Sequence, residues 1–576
     1  MTLPEEVVAT LRRSLSRHPG DSVVELRGPG WTLLKVDIGA FGAPAVHDDA
    51  EGASMLAGDP LLLDNAAGEP RDRSQDLATL HRALAAGDDA ALARTSGTFC
   101  GVHVDKRSGT LRLFTDKLGV RPIYYWIGPD FVVYASAMRI IEALPLIPKA
   151  FDIRGVSDIA CFGFPLAHRT PYLDVATLRA GEVVRVQGAQ VSHHEYWRWD
   201  EVPAPAANGA SLERQVGDAF MSAVRRRLGD EADTVAFLSG GLDSRSIVAA
   251  LRALGATVHS INFSPDRTQD EVFGREAARV LQTSHHHLAK RAASVTRKDQ
   301  VYNQDEVNRW FDTQKAAGTL TGRRRIVWSG DGGSVGLGHV YLTERIVDLA
   351  QRGQTEAAIA AFLDHNKIRA ARKLFRSTVR DQLAAFPSDG LRDELALLPR
   401  AEPGRAFHLF LMLNDQRRHL VHLYEHIDLG RLEFHLPFFD SEFLSLIIGS
   451  PVRPFLLHRF YLSWLQAVLP QAVTVPWQAY PGHVPCPLPA PQDLGYQWGD
   501  YYSRATQDHM KRHALEKAHR VLGSPHFPHQ LLDGTRLRIA TWLTRFGAGD
   551  YGYVIDAAER YTEYWGQCQR AGESAR

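Results

Sequence analysis

Cysteine is scarce in this chain. Four occur in 576 residues, Cys100, Cys161, Cys486 and Cys568, and none belongs to a CxxC pair. That spacing argues against a disulfide framework or a thiolate zinc site, and buried or idle thiols are expected. Long apolar runs are missing as well, since no stretch approaches the ~20 residues a membrane span requires. Nor is there surplus charge of either sign. Lysine plus arginine number 66 and aspartate plus glutamate 66, so no global basic field would recruit nucleic acid or an anionic membrane. The opening MTLPEEVVATLRRSL carries two glutamates where a secretory leader would carry positive charge. A soluble cytoplasmic protein is the expectation, with neither nucleic acid nor membrane as partner.

What the chain has is length, too much for one ordinary core, so at least two domains are expected. Through about residue 200, short β-type runs such as VVEL, TLLKV, TLRLFTD, PIYYW and FVVYASA are separated by glycine, proline and aspartate. This pattern predicts a mainly antiparallel, sheet-rich first domain over 1–201. The aperiodic VPAPAANGAS, residues 202–211, predicts a linker. From 212 to 576 the pattern changes. An amphipathic helix (SLERQVGDAFMSAVRRRL) leads into strand TVAFL, helix SIVAALRAL, strand TVHSINF and helix DEVFGREAARVL. Such alternation predicts a parallel, helix-covered sheet. Helical patterns dominate between roughly 345 and 430, and VPCPLPAP reads as a loop.

The chemistry concentrates where TVAFL meets its helix, in FLSGGLDSRS, Phe237 to Ser246. A glycine pair between strand and helix lets the backbone turn tightly and aim its N–H groups outward. Helix N-terminal amides favour an anion, and Ser239 and Ser244 can donate to its oxygens. Asp243 would repel a phosphate unless a cation lies between them, and Mg²⁺ accepts oxygens from both. A metal nucleotide is the economical ligand, against the plainer reading of an N-capping serine and aspartate after a glycine turn. Asp270 and Glu271 open the next helix, where first-turn acids also stabilise the dipole. The triplet His285 to His287 lies on a predicted strand, so its neighbours point to opposite faces and cannot close one metal site. Asp440 reads as a helix cap.

SGGLDS at Ser239 to Ser244 resembles the pyrophosphate loop of the ATP-pyrophosphatase superfamily. Further segments narrow the resemblance: GTFCGVHVDKRSGTLRLFTDKLGVRPIYYW (Gly97 to Trp126), FVVYASAMRIIEAL and RTPYLDVATLRAGEVV, then SPDRTQDEVFGREAARVLQTSHHH, WSGDGGSVGLG and EFHLPFFDSEF. In this order they are similar to the asparagine synthetase family over about residues 90 to 480. The resemblance implies a mixed α/β and α+β architecture, with an N-terminal Ntn-hydrolase-like amidotransferase domain. An ATP-pyrophosphatase-like synthetase domain with helical additions would follow it. It implies ATP and Mg²⁺ as cofactors, with nucleotide contacts from Leu238, Ser239, Gly240, Gly241, Asp243, Ser244, Phe263, Ser329, Gly330, Asp331 and Gly332. Asp243 would be the metal ligand, and Asp243, Asp331 and Glu433 the catalytic residues.

The chain departs from that pattern in four places, one of them His435, two residues after Glu433, where the family's Glu-x-Arg pattern has an obligatory charge. Residue 2 is Thr2, where the family's glutaminases place the N-terminal cysteine that attacks the amide, so glutamine hydrolysis is not expected. Ser334 and Val335 occupy the two places that are usually acidic in the second loop. Losing one preorganised contact of about 3 kcal/mol would slow adenylation roughly a hundredfold. The lysine expected within VTVPWQAYPGH is replaced by the vicinity of Trp477 and Gln478, leaving His483 or Arg459 as candidate charges. Tyr341 and Glu344 are candidates for the acceptor pocket. The chain resembles family members without the cysteine, the β-lactam and carbapenam synthetases and the lasso-peptide cyclases. That implies intramolecular amide formation on a small molecule or peptide carboxylate, with a precursor peptide and a maturation protease as candidate partners. Two alternatives stay open, a catalytically degenerate nucleotide- or partner-binding homologue and an ammonia-dependent asparagine synthetase.

Overall fold

The computed structural model describes residues 4–63, 72–206, 208–288, 304–496, 504–549 and 551–574. VVEL and TLLKV pair as a hairpin, Val23–Gly28 with Trp31–Val36. A six-stranded sheet runs in the order Gln190–Glu195, Glu182–Gln187, Leu111–Thr115, Thr98–Asp105, Gly52–Asp59, Val46–Asp48. Every pairing in it is antiparallel. Period-two alternation sends Leu56, Phe99, Phe114 and Val183 to one face, where they meet Leu77, Leu80 and Leu84 of helix Arg73–Ala85. Those three leucines recur at helical spacing and so form one stripe. PIYYW and FVVYASA fall in a separate antiparallel sheet, with Tyr124–Ile127 between Val132–Ala135 and Val175–Thr177.

Helix Gly209–Leu228 opens the α/β part. The sheet there has five parallel strands in the order Ser284–His287, Thr257–Asn262, Asp233–Phe237, Ile326–Trp328, Glu433–His435. Strand Asp233–Phe237 is buried at all five positions, as an apolar run covered on both faces should be. The helices expected from SIVAALRAL and DEVFGREAARVL are present as Leu242–Ala253 and Gln269–Val280. Thr268 caps the second by accepting from the Glu271 amide at 3.2 Å. Connections from the first strand in sequence, Asp233–Phe237, go to one side of it and then to the other. A switch point therefore lies between Asp233–Phe237 and Ile326–Trp328, and in open α/β sheets ligands bind beyond the carboxyl ends of strands at such a point.

The chain divides into two compact units, each gathered from three stretches. One comprises Met1–Ile123, Leu178–Thr343 and Leu411–Tyr501, and it contains the hairpin, the six-stranded sheet and the parallel sheet. The other comprises Tyr124–Thr177, Glu344–Phe410 and Tyr502–Arg576. Its core includes Leu374, Leu383, Leu532, Leu537, Ile555 and Ala558. Helices Glu344–Gln351, Thr355–His365, Arg380–Ala396 and Pro403–Phe410 fill the region where helical patterns were expected. Residues 484–491 form neither helix nor strand. Among the described residues, no helix is long and apolar enough to cross a membrane.

Candidate functional site at the strand switch point

The loop Leu238–Gly241 leaves the end of strand Asp233–Phe237 and enters helix Leu242–Ala253. Its own side chains organise it. The Ser239 amide donates to Ser244 Oγ at 2.9 Å, the two hydroxyls lie 3.0 Å apart, and the Gly241 amide donates to Ser239 Oγ at 3.2 Å. The Gly240 amide donates to Asp270 Oδ1 at 3.0 Å. Asp270, part-buried at the start of its helix, is held above the usual carboxylate range by burial. Glu271 pairs with Arg275.

The second loop follows strand Ile326–Trp328 and packs directly on the first. A Cβ at Gly330 would lie 2.6 Å from the Ser244 nitrogen, and one at Gly333 would lie 2.6 Å from Asp243 Oδ1. Glycine is required at both places by this approach. Gly332 has φ +91, the left-handed region that glycine enters freely, and its Cβ would lie 2.6 Å from the Phe439 ring. At Gly241 an added Cβ would meet only Ser239 Oγ, at 3.4 Å. Asp331 accepts from Ser329 Oγ at 2.5 Å and lies 3.2 Å from His419 Nε2. The sequence reading missed His419. It follows a π-helical turn, Leu411–Gln416, a feature common at functional sites, and the run Arg417, Arg418, His419 was its only signal.

Asp243 sits between the loops. Ser334 donates to Asp243 Oδ2 from its amide at 3.1 Å and from its hydroxyl at 2.6 Å. Tyr461 donates to Oδ1 at 2.7 Å. Burial pushes this carboxyl up to about 6, against the pull of the hydrogen bonds from Ser334 and Tyr461. Ser334 therefore faces Asp243 from one of the two positions where the resemblance implied an acid. Tyr461 was not foreseen, although its place in HRFYLSWL, three residues before Trp464, marks an inward helix face.

Arg245 was also missed. Fully buried at 0% exposure, it has carbonyls for partners: Gly241, Gly240, Ala472, Val475 and Pro476, at 2.9, 3.0, 3.1, 3.2 and 3.0 Å. Desolvation lowers its pKa to about 10. This fork ties the first loop to residues 472–476, and the Gln478 amide adds a bond to the Gly240 carbonyl at 2.9 Å. The segment in which a lysine was expected thus touches the first loop, with buried Gln478 in it. Of the two candidate charges, His483 Nδ1 lies 2.7 Å from His458 Nδ1, and Arg459 is exposed at the start of helix Arg459–Val468. Burial pushes His458 down to about 3.

Other candidates fall as follows. Leu238 is buried, and Phe263 meets Phe237 edge to face at 5.1 Å. Glu433, on strand Glu433–His435, is buried and ion-paired with Arg121, whose guanidinium lies 4.1 Å over the Tyr424 ring. Tyr341 has φ +72 and meets Tyr480 edge to face at 6.2 Å. Glu344 begins helix Glu344–Gln351. Asp440 caps helix Ser441–Ile448, as expected, and also pairs with buried Arg226 and Arg227. The histidine triplet is spread over separate partners: His285 on Ser260, His286 stacked on His259, His287 on the Ser264 carbonyl. Thr2 lies outside the described residues.

Comparison with known proteins agrees with the order of these parts. Residues 66–197 match a family described as a glutamine amidotransferase domain, and residues 215–469 one described as asparagine synthase. A putative glutamine-hydrolysing asparagine synthetase 2 of Methanocaldococcus jannaschii is 26% identical over 191 residues, 32% of this chain and 37% of the relative. Glutamine-hydrolysing asparagine synthetase 3 of Bacillus subtilis is 26% identical over 194 residues, 32% of this chain and 30% of the relative. The chain therefore spans about a third of the length of these curated relatives. A solved glutamine phosphoribosylpyrophosphate amidotransferase of B. subtilis, complexed with ADP and GMP, covers 51% of this chain and 60% of its own at 12% identity. Its TM-score is 0.18, too low to carry weight.

Proposed function

We infer that this chain, which carries in order the amidotransferase and synthase domains of the asparagine synthetase family, is an ATP-dependent ligase that forms an amide bond. One observation carries the reading: two glycine loops meet at the switch point of a parallel sheet, with Asp243 held between them. In the proposed reaction a substrate carboxylate attacks the α-phosphorus of ATP, pyrophosphate leaves, and an amine then displaces AMP. Leu238, Ser239, Gly240, Gly241, Ser244 and Phe263 would border the nucleotide, with Ser329, Gly330 and Gly332 opposite. Mg²⁺ suits the donor set, because Asp243 and Asp331 offer hard carboxylate oxygens beside the loops, and when bound it offsets phosphate charge. Binding a phosphate at Gly240 requires Asp270 to release that amide, so the acid and the nucleotide compete for one donor. Glu433, through its ion pair with Arg121, orders the strand end beside the second loop.

The amine is proposed to belong to the substrate, which makes the reaction an intramolecular lactam or macrolactam closure like that of lasso-peptide cyclases. A precursor peptide and a maturation protease would then be partners. Support comes from the cysteines. Burial pushes the Cys100 thiol up to about 12, far from a nucleophilic thiolate. A second reading, a nucleotide-binding homologue without turnover, is favoured by the hydroxyl of Ser334 in an acidic place.

Purified protein with ATP, Mg²⁺ and pyrophosphatase separates them. The ligase releases AMP only when its carboxylate substrate is present and is indifferent to glutamine. Nucleotide binding without AMP, whatever carboxylate is supplied, supports the second reading. Asp243→Asn keeps the shape and can still accept from Ser334 and donate to Tyr461. It is expected to abolish AMP release with little change in melting temperature. Undiminished AMP release by that variant overturns the proposed mechanism.

A further inference from the structure

The six-stranded sheet carries a polar group that shares no residue with the ligase reading. His47, Ser54 and His103 are register partners across three neighbouring strands, Val46–Asp48, Gly52–Asp59 and Thr98–Asp105. Cross-strand partners share a face, and helix Arg73–Ala85 brings His81 onto it: the His47 and His81 rings lie 4.3 Å apart and those of His81 and His103 5.2 Å apart. His81 is 0% exposed. Asp49, in the turn between the first two strands, completes the group. His47 Nε2 lies 3.5 Å from Asp49 Oδ2, and His81 Nε2 lies 3.2 Å from Asp49 Oδ1.

Hydrogen bonding to Ser54 leaves two arrangements of the ring protons. His81 Nδ1 and His103 Nδ1 are each 2.9 Å from Ser54 Oγ. A hydroxyl has one hydrogen, so it accepts from one ring and donates to the other. With His81 as donor, the bonds run from His81 Nδ1–H to Ser54 and from Ser54 to His103 Nδ1. His81 Nε2 then keeps its lone pair. This nitrogen is buried 3.2 Å from the Asp49 oxygen, where it is a proton donor to Asp49 in the other tautomer and a lone pair open to a cation in this one. Asp49 Oδ1 is fixed in place by the amides of Glu51 and Gly52, at 2.8 and 3.0 Å. In that arrangement two electron pairs face each other, and either a proton on His81 Nε2 or a metal ion that displaces it relieves their repulsion.

We propose that His47, Asp49 and His81 bind one divalent transition-metal ion, with Ser54 and His103 as the outer shell that orients His81. Two imidazoles and a carboxylate suit Zn²⁺ and its borderline neighbours rather than Mg²⁺ or Ca²⁺. Ligands about 2.0 Å from a tetrahedral ion stand roughly 3.3 Å apart. His81 Nε2 is 3.2 Å from Asp49 Oδ1 and His47 Nε2 3.5 Å from the other oxygen, Oδ2, so a small rotation of the carboxylate brings one oxygen to both rings. All three ligand atoms lie within 4.8 Å of one another. The side chains of His47 and Asp49 are 33% and 40% exposed, which gives the ion a path in and leaves a fourth position for water. Bound there, the ion clamps helix Arg73–Ala85 to the edge strand of its sheet.

The test is calorimetric titration of the full chain with ZnCl₂ after chelator treatment. One equivalent should bind, and Co²⁺ in its place should show visible absorption of a tetrahedral site. His47→Gln and Asp49→Asn, at part-exposed positions that the fold tolerates, should each weaken Zn²⁺ at least tenfold. Ser54→Ala should weaken it about 10- to 100-fold, as loss of an orienting outer-shell group does. His287→Gln, on a strand of the parallel sheet, should leave the titration unchanged. Absence of stoichiometric binding, or binding that is untouched by His47→Gln and Asp49→Asn, overturns the proposal. Circular dichroism of each variant checks that its fold is retained.

Discussion

Lys117 is a lysine that water scarcely reaches. Its ammonium lies 3.9 Å over the Trp197 ring and donates to Ser441 Oγ at 3.0 Å, while Trp199 Nε1 donates to its carbonyl at 2.6 Å. Burial lowers its pKa to about 8, against the opposing pull of Asp440 and Glu442. The folded chain thus binds this proton less tightly than the unfolded one, whose lysine titrates near about 10.4. Its contribution to stability is fully present above that unfolded value and is lost as pH falls through about 8. Lys117→Met should therefore flatten the rise in unfolding free energy between pH 8 and 10, by up to a few kcal/mol. Urea denaturation of both proteins across that range checks it.

The two glycine loops depend on each other, since Gly330 and Gly333 exist to let the second loop lie against Asp243 and Ser244. Ser334 closes the contact with its hydroxyl, which donates to Asp243 and adds no charge. Ser334→Asp would set two carboxylates at hydrogen-bonding distance, and like charges so placed cannot both ionise cheaply. The variant should lose about 1–2 kcal/mol in metal-free buffer, and millimolar Mg²⁺ should restore most of it. Differential scanning calorimetry with and without Mg²⁺ reads both effects. A loss that Mg²⁺ does not relieve would mean that the loops cannot accept the ion.

Each compact unit has its own core, and the second is assembled from stretches that begin at residues 124, 344 and 502. Leu532 is fully buried there at 0% exposure, packed in one cluster with Leu374, Phe375 and Ile555. Leu532→Ala should cost about 2–5 kcal/mol, as a cavity among leucines does. The melting transition of that unit should move down. Stabilisation by ATP and Mg²⁺ at the proposed site, whose loops belong to the other unit, should persist. Calorimetry of the variant with and without nucleotide measures both transitions.

The second glycine loop was legible only through the family resemblance. Local pattern announced most of the strands and helices and the first glycine loop, because hydrophobic period and turn chemistry are properties of neighbouring residues. It also placed Asp440 as a cap and denied the histidine triplet a shared site, both from backbone geometry. Arg245, Tyr461, His419 and the pairing of Arg121 with Glu433 escaped it. Each joins residues far apart in the chain, and no period encodes which buried side chain will meet which loop carbonyl. The same holds for His47, Asp49 and His81: separate on paper, they come together only because strand register and one helix face bring them to one place. The order of elements and the chemistry of the loops were thus set by sequence, whereas the partners of every buried charge were decided by the packing of distant segments.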